Sequence, residues 1–440
     1  MLSRLDSKSQ DVITDDLDFT TIPGTQTGIQ NSRWNVVNLK NAFLPNGPWE
    51  FVLTNNSRSY LNLKRTWLVY TFKITDENGE AIKKSDVTYA PINNIAHSIV
   101  KNFTLHINSQ LVYHNASNYA YKSYFENLLM YSDEQKKSTL SIAGYTPEAT
   151  VNNKDSNGYK TRFQWACDGK TIQAAANISI DFTNQPRLLL NNCNVKLTAY
   201  PNSDAFLIES HNTAASTVKY KFEILDVYCL VNELDLTEGL ANEMEAALLE
   251  HKMLQYPLIS SQVRTFCIEP NRMDSPSSTL FTSKMPRRIF LGLVSGKAFN
   301  GCYHESPFNF QHFNVRDVHI DYCGITTPGR PMNLDFNSGK CIEPYLIMQE
   351  ALGHTRNNTT CNSITFDQWK SKGYTIFGFE LSPVAHESSL FELVRPTNTS
   401  IRINFDKPTP EGGLYCVVYA EFDQILALDY QRNPIIDTVI

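Results

Sequence analysis

Short alternations of apolar and polar residues recur along this chain, and they set the expected elements. Leu68, Tyr70, Phe72 and Ile74 alternate with Val69, Thr71 and Lys73, the period of two of a strand with one face buried. Asp76-Glu77-Asn78-Gly79 then reads as a turn. The same rhythm returns at Phe103–Ile107, Leu111–Tyr113, Ile178–Phe182 and Val195–Ala199. A long alternation from Val218 to Val231 closes the first half, with a register slip near Leu225-Asp226 where a β-bulge fits. The second half repeats the plan: strands are expected around 263–269, 289–294, 317–322, 374–381 and 401–406, and a long closing strand over Leu414–Leu428.

Three stretches break the β rhythm. Tyr121, Phe125, Leu128 and Leu129 recur at helical spacing, which predicts a short amphipathic helix over Tyr119–Leu129. Thr237 to Lys252 is the clearest helix, with Thr237 as its cap, an apolar face of Leu240, Met244, Ala247 and Leu248, and Pro257 beyond its end. Glu343-Pro344-Tyr345 opens a third helix, through Leu352, with the proline in the first turn where its missing N–H does no harm. Residues 136–158 read as a polar surface loop.

Two successions of roughly eight short strands, each with one helix inserted after its early strands, suit two jelly rolls in tandem. The fold class expected is therefore all-β, a double jelly roll with short inserted helices and a linking helix. Its division would be an N-terminal arm over 1–30, a first jelly roll over 31–236, a linking helix over 237–256, a second jelly roll over 257–430 and a tail over 431–440. A chain of 440 residues accommodates two such sandwiches.

Charge narrows the partners. Charged residues make up only 19% of the chain and the net charge is -6, without a basic stripe, so specific nucleic-acid binding is not expected. The chain opens on no apolar h-region and contains no apolar run of membrane-spanning length, so neither secretion by a signal peptide nor a membrane span is expected. The nine cysteines form no C-x-x-C pair and lie mostly in or beside apolar runs (Cys229, Cys267, Cys323, Cys416), which reads as reduced, buried thiols.

Candidate chemistry is sparse. Asp15-Asp16 and Asp133-Glu134 stand in polar segments and read as solvated carboxylates. His106 falls on the polar side of its strand. His312 and His319 lack ligand spacing, and no H-E-x-x-H, G-x-S-x-G or Walker loop occurs. Arg287-Arg288 beside Lys284 reads as strand-edge charge that discourages aggregation. No catalytic residue, metal ligand or cofactor is expected, and the chain reads as a non-enzyme.

The organising stretch is Pro286 to Gly324. A buried strand over 289–294 leads into an aromatic loop and then an alternating strand in which Val318, Ile320 and Tyr322 share a face. The loop carries Phe299, Asn300, Gly301, Pro307, Phe308, Phe310, His312 and Phe313, candidates for a subunit-contact surface or for the subunit's own core. Ala298-Phe299-Asn300-Gly301 followed by Pro307-Phe308-Asn309-Phe310-Gln311-His312-Phe313-Asn314 resembles the major capsid proteins of Maverick/Polinton elements and related adintoviruses, with Ser306 where Asn is expected. Leu17 to Thr27 is similar to that family's N-terminal arm, with Gly24 in place of a proline. Tyr419-Ala420-Glu421-Phe422 and Arg432-Asn433-Pro434 resemble its C-terminus.

The resemblance implies a structural capsid subunit. It would form pseudo-hexagonal homotrimers that tile an icosahedral shell beside neighbouring capsomers and a single jelly-roll minor (vertex) protein. Assembly would take place inside the host cell, in the nucleus or cytoplasm. The alternative class is a jelly-roll carbohydrate-binding module or hydrolase, which should carry convergent carboxylates or an exposed aromatic platform.

Overall fold

A computed structural model describes all residues except 1–7, 10–11, 83–88, 115–117, 212–218, 252, 283, 356–360, 384, 386–389, 394 and 437–440. The first half holds β1 (Ile29–Val37), β2 (Trp49–Thr54), β3 (Ser59–Asp76), β4 (Tyr89–Pro91), β5 (Val100–Ile107), β6 (Gln110–His114), β7 (Ile172–Asn177), β8 (Asn194–Pro201), β9 (Ile208–Ser210) and β10 (Tyr220–Leu236). The second half holds β11 (Met253–Ile268), β12 (Ser278–Phe281), β13 (Arg288–Ser295), β14 (Val315–Tyr322), β15 (Ile325–Thr327), β16 (Ile376–Glu380), β17 (Thr399–Phe405), β18 (Leu414–Asp429) and β19 (Pro434–Ile436). Among the described residues four helices reach ten residues: α1 (Tyr119–Met130), α2 (Asn157–Ala166), α3 (Glu238–His251) and α4 (Ile342–Ala351).

The strands build two sandwiches. In the first, a sheet ordered β1-β10-β3-β7 faces one ordered β2-β8-β5-β6; in the second, β11-β18-β13-β16 faces β12-β17-β14-β15, with β19 added along β18. Among the described residues all pairings are antiparallel apart from one isolated parallel bridge, Phe310 to Tyr374. Strict alternation places one row from each strand between the sheets. Leu68, Tyr70 and Phe72 of β3 meet Trp49 and Phe51 of β2, all at most 1% exposed. In the second sandwich Leu291 of β13 and Val418 of β18 lie opposite Ile401 and Ile403 of β17, all fully buried. The fold is a double jelly roll, as the alternation predicts.

The expected bulge lies where the slip was read, between Ile224 and Asp226 against β3. Several expectations need correction. Ile178–Phe182 is not a strand: β7 ends at Asn177, and the chain peels off that sheet edge into a single turn at Asp181–Asn184. The alternation there is real burial, since Ile178, Ile180 and Phe182 are all inside, but it comes without a ladder. Residues 136–158 are not a plain polar loop. A helical turn at Asp133–Lys137 with a Ser132/Gln135 capping box, a 3-10 turn at Thr139–Ala143 and the start of α2 fill it, and Leu140, Ala143, Tyr145 and Val151 are buried. The strand expected at 263–269 begins ten residues earlier, at Met253, directly behind α3. It carries Pro257 because β11 is an edge strand, where a missing N–H leaves no ladder bond unmade.

Arg287 and Arg288 are not edge charges. β13 lies between β18 and β16; Arg287 is buried and pairs with Asp423 at 2.6 Å, and the partly buried Arg288 pairs with Glu421 at 2.5 Å. The cysteines are free, but not uniformly buried: Cys167, Cys193, Cys229, Cys341 and Cys416 are inside, whereas Cys267, Cys323 and Cys361 are exposed.

Candidate functional site

With two sandwiches in one chain, the surface that joins them is where function and fold meet. It is built on α1. The helix starts after the edge strand β6 and lays Tyr121, Tyr124 and Phe125 against the second sandwich. Phe308 stacks on Tyr124 with ring centroids 4.1 Å apart and planes within 1°. Phe310 lies 5.2 Å from Phe125, and Phe299 is stacked between Tyr121 (5.5 Å) and Tyr415 (4.1 Å). Phe125 also faces Tyr419 at 6.0 Å, on the outer side of the β11-β18-β13-β16 sheet.

The aromatic loop therefore divides. Phe299, Pro307, Phe308 and Phe310 pack into the seam between the sandwiches; Phe308 and Phe310 are fully buried in a single chain. Asn300 donates from Nδ2 to Gly296 O at 2.9 Å, closing the short helix Gly296–Asn300. Gly301 adopts a φ of +96°, and a Cβ there would come within 3.3 Å of the Phe206 amide in the first sandwich, so the glycine is fixed by both conformation and contact. His312 and Phe313 leave the seam. His312 stacks on Phe336 at 4.1 Å inside the second sandwich, and burial lowers its pKa. A glycine within β13 makes room for the inward turn: Gly292 has no Cβ, and one placed there would stand 2.4 Å from the Phe310 ring.

The seam also holds buried charge that the sequence reading missed. Lys122 of α1 is fully buried, and its three N–H donors meet Glu126 at 2.8 Å, the Ser179 carbonyl at 2.8 Å and Asp181 at 3.2 Å. Burial opposes its charge, but Glu126 and Asp181 outweigh that and hold its pKa well above the ordinary lysine value. The network crosses to the second sandwich. Ser261 of β11 donates to Asp181 from its backbone N–H (3.0 Å) and its hydroxyl (2.7 Å), and the Tyr419 hydroxyl reaches Glu421 at 3.1 Å and Glu126 at 3.3 Å. Glu421 accepts in turn from Arg288. The signal in the sequence was Lys122 and Glu126 four apart in an otherwise apolar helix. A cavity of ≈ 670 Å³ opens beside this network, lined by His97, Met130, Arg187, Arg288 and Phe391 among others.

A second buried cluster stands at the other end of the seam. Arg162 of α2 is fully buried and pairs with both Glu148 and Glu209, the latter at 3.1 Å, while His211 Nε2 lies 2.9 Å from Glu209. Burial raises the Glu148 pKa to about 7, against the pull of Arg162 and with the push of Glu209. The carbonyl of Glu148 accepts from the Tyr374 hydroxyl of the second sandwich at 2.7 Å. Lys136 is a third buried charge; its ammonium donates to Leu128 O (2.6 Å) and Asn362 O (2.7 Å), and burial lowers its pKa to about 8.

The remaining sites read from the sequence are scattered. Asp16 is exposed, Asp133 pairs with Lys137 across one helical turn, and Asp133 and Glu134 converge on no third carboxylate. The Nδ1 atoms of His106 and His319 are buried without a hydrogen-bond partner. Among the described residues no three His, Cys, Asp or Glu side chains group as metal ligands, and no helix is long and apolar enough to cross a membrane.

No family model matches the chain. It is 65% identical, over 425 residues, to the Caenorhabditis elegans protein designated "Uncharacterized protein F54H12.2", a span that covers 95% of this chain and all of that protein. The chain belongs to that protein's family. Solved structures share its fold at low identity. A chain of the Sputnik virophage, determined by cryo-EM, aligns with a TM-score of 0.67 at 10% identity, over 100% of this chain and 95% of that one. The mavirus major capsid protein aligns at 0.58 and 11% identity, over 100% and 97%. A chain of the PBCV-1 virus capsid aligns at 0.58 and 10% identity, over 96% and 100%. These are double jelly rolls of virophages and a giant virus, matched from end to end rather than over one sandwich.

Proposed function

We propose that this chain is a major capsid protein: a structural subunit that forms pseudo-hexagonal homotrimers and tiles an icosahedral shell. The observation that carries the reading is the end-to-end correspondence with capsid chains over both sandwiches. A single jelly roll is used for many purposes, but here the correspondence runs over two of them joined by an aromatic and ionic seam. The inter-sandwich charges are consumed by one another, which suits a building unit better than a reacting centre. The carbohydrate-binding or hydrolase alternative draws no support from the seam, where the carboxylates nearest one another are already paired to Lys122, Arg162 and Arg288.

The finer parts of the reading rest on the motifs at Ala298–Asn314, Leu17–Thr27 and Tyr419–Phe422, which resemble the Maverick/Polinton and adintovirus lineage. From that lineage follow the expected neighbours, other capsomers and a single jelly-roll vertex protein, and a place in the virion shell after assembly in the host nucleus or cytoplasm. The division into an arm over 1–30, rolls over 31–236 and 257–430, a link over 237–256 and a tail over 431–440 belongs to the same proposal, with the second roll's strands reaching into the link from Met253 and into the tail through β19. Its support is that every strand of the first two sheets falls in the first half and every strand of the next two in the second. Negative-stain microscopy of the purified chain tests the function. Particles with a hexagonal outline, or closed shells, are expected; a dispersed field of single two-lobed molecules would contradict the proposal.

A further inference from the structure

At the end of the seam away from Lys122, two buried carboxylates share a single cation. The Arg162 guanidinium donates to Glu148 and to Glu209 Oε2 (3.1 Å), as well as to Thr146 Oγ1 (2.7 Å) and Pro91 O (2.8 Å). His211 Nε2 stands 2.9 Å from Glu209 Oε1, its ring edge-on to Tyr159 at 4.9 Å. Among the described residues the other titratable groups that face this cluster are phenols: Tyr159 on α2, Tyr145 near Glu148, Tyr124 on α1 and Tyr374 in the second sandwich. Burial raises the pKa of Tyr124, Tyr145 and Tyr374, so none of these supplies a charge. With both carboxylates ionised and His211 neutral, the cluster carries one negative charge more than Arg162 balances.

The segments that carry the two carboxylates are also straps onto the second sandwich. In the first, Glu148 O accepts from the Tyr374 hydroxyl at 2.7 Å, Val151 N–H donates to Lys372 O at 2.9 Å, and Asn152 Oδ1 accepts from the Ser306 N–H at 3.1 Å. In the second, the Ser210 N–H donates to Tyr303 O at 2.6 Å, and His304 Nδ1 lies 3.0 Å from Ser210 O. Arg162 ties the strap at 148–152 to the strap at 209–211. A charge left unbalanced at Arg162 therefore acts on both, because a buried ion without its partner gains by moving to water.

We propose that this cluster is a proton-held latch on the seam: one proton shared among Glu148, Glu209 and His211 balances Arg162 and keeps both straps closed, and its loss frees them. The proton belongs to the group rather than to one residue, since the three acceptors meet through Arg162 and Glu209. Burial, with Glu209 close by, raises the Glu148 pKa to about 7 in the closed seam. Once its strap lifts, Glu148 meets water and returns to its ordinary 4.5. Opening thus releases a proton between pH 4.5 and 7, so the straps lift more readily as pH rises through that interval, and the effect levels off above it. The latch goes beyond the capsid reading and does not depend on it, because it governs how firmly the two sandwiches of one chain hold together.

The test is hydrogen exchange of the full chain at pH 6 and pH 8, a unit either side of the closed-seam value of about 7, read by mass spectrometry with labelling times scaled to the intrinsic rate. From a closed pKa of about 7 and an open one of 4.5, protection of the Val151, Ser210 and Ser306 amides should fall about tenfold between the two. The paired strands β3 and β10 should keep theirs. Glu148→Gln, which keeps the shape of the protonated side chain, should abolish the fall. Glu209→Gln, which leaves one carboxylate to one guanidinium, should abolish it as well. Equal protection of the straps at both pH values in the wild type overturns the latch. So does a fall that persists in either variant, or one that extends to β3 and β10 and so marks unfolding of the sandwich rather than release of the straps.

Discussion

At the scale of single residues, the buried charges decide how the seam behaves. Lys122 is locked between Glu126 and Asp181 with no water-facing side. Lys122→Met would leave two carboxylates buried without their cation, and removal of one partner from a buried pair costs about 3–5 kcal/mol. The expected outcome is a large drop in urea midpoint, with partial recovery when Glu126→Gln and Asp181→Asn are added. Glu148 gives the pH dependence. Its folded pKa, about 7, lies above its ordinary 4.5, so the folded state binds this proton more tightly than the unfolded one. Its contribution to stability is complete below pH 4.5 and is lost as pH rises through 7. Melting temperature should therefore fall between pH 5 and 8, and Glu148→Gln should flatten that slope; an unchanged slope in the variant would refute the assignment. The sequence hid both clusters for one reason. Lys122 and Glu126, four apart on a helix, look like a solvated surface pair until Asp181 and Tyr419, from distant parts of the chain, close over them.

At the scale of elements, periodicity carried most of the information. The pattern Tyr121, Phe125, Leu128, Leu129 was sufficient to predict α1, because helical spacing is a local property. What α1 packs against was not readable, since Phe308, Phe310 and Tyr419 lie some 180 to 300 residues on along the chain. The start of β11 escaped for a different reason: an edge strand needs no continuous apolar face, and Pro257 mimics a break. The same logic misled the reading of Ile178–Phe182, where alternation marks burial under α1 and β11 and not a ladder. The aromatic loop was recognised as packing surface, and in one chain Phe308 and Phe310 are part of the core. Phe308→Ala should cost about 3–5 kcal/mol, read as an earlier chemical-unfolding midpoint, and should show at concentrations too low for assembly. Gly292→Ala, which pushes a methyl into the Phe310 ring, should cost about 1–3 kcal/mol. A wild-type midpoint for either would show that the loop does not hold the sandwiches together.

At the scale of the whole molecule, the chain is one topology used twice. The helix α1 of the first sandwich packs against the second, whereas α4 packs on β16 of its own sandwich. Trp34 and Val36 of β1 and Ile342 and Leu346 of α4 are among its exposed large apolar side chains. If α3 (Glu238–His251) is the link between the sandwiches, limited proteolysis should release fragments that end or begin near it; a stable fragment spanning 180–310 would contradict the division. The central claim, that two joined jelly rolls make a capsomer by threes, is tested most directly by the mass of the purified full chain in solution. Light scattering at micromolar concentration should give three times 50.0 kDa, or a larger assembly built from that unit. A well-folded protein that stays at 50.0 kDa across the salt range would contradict it.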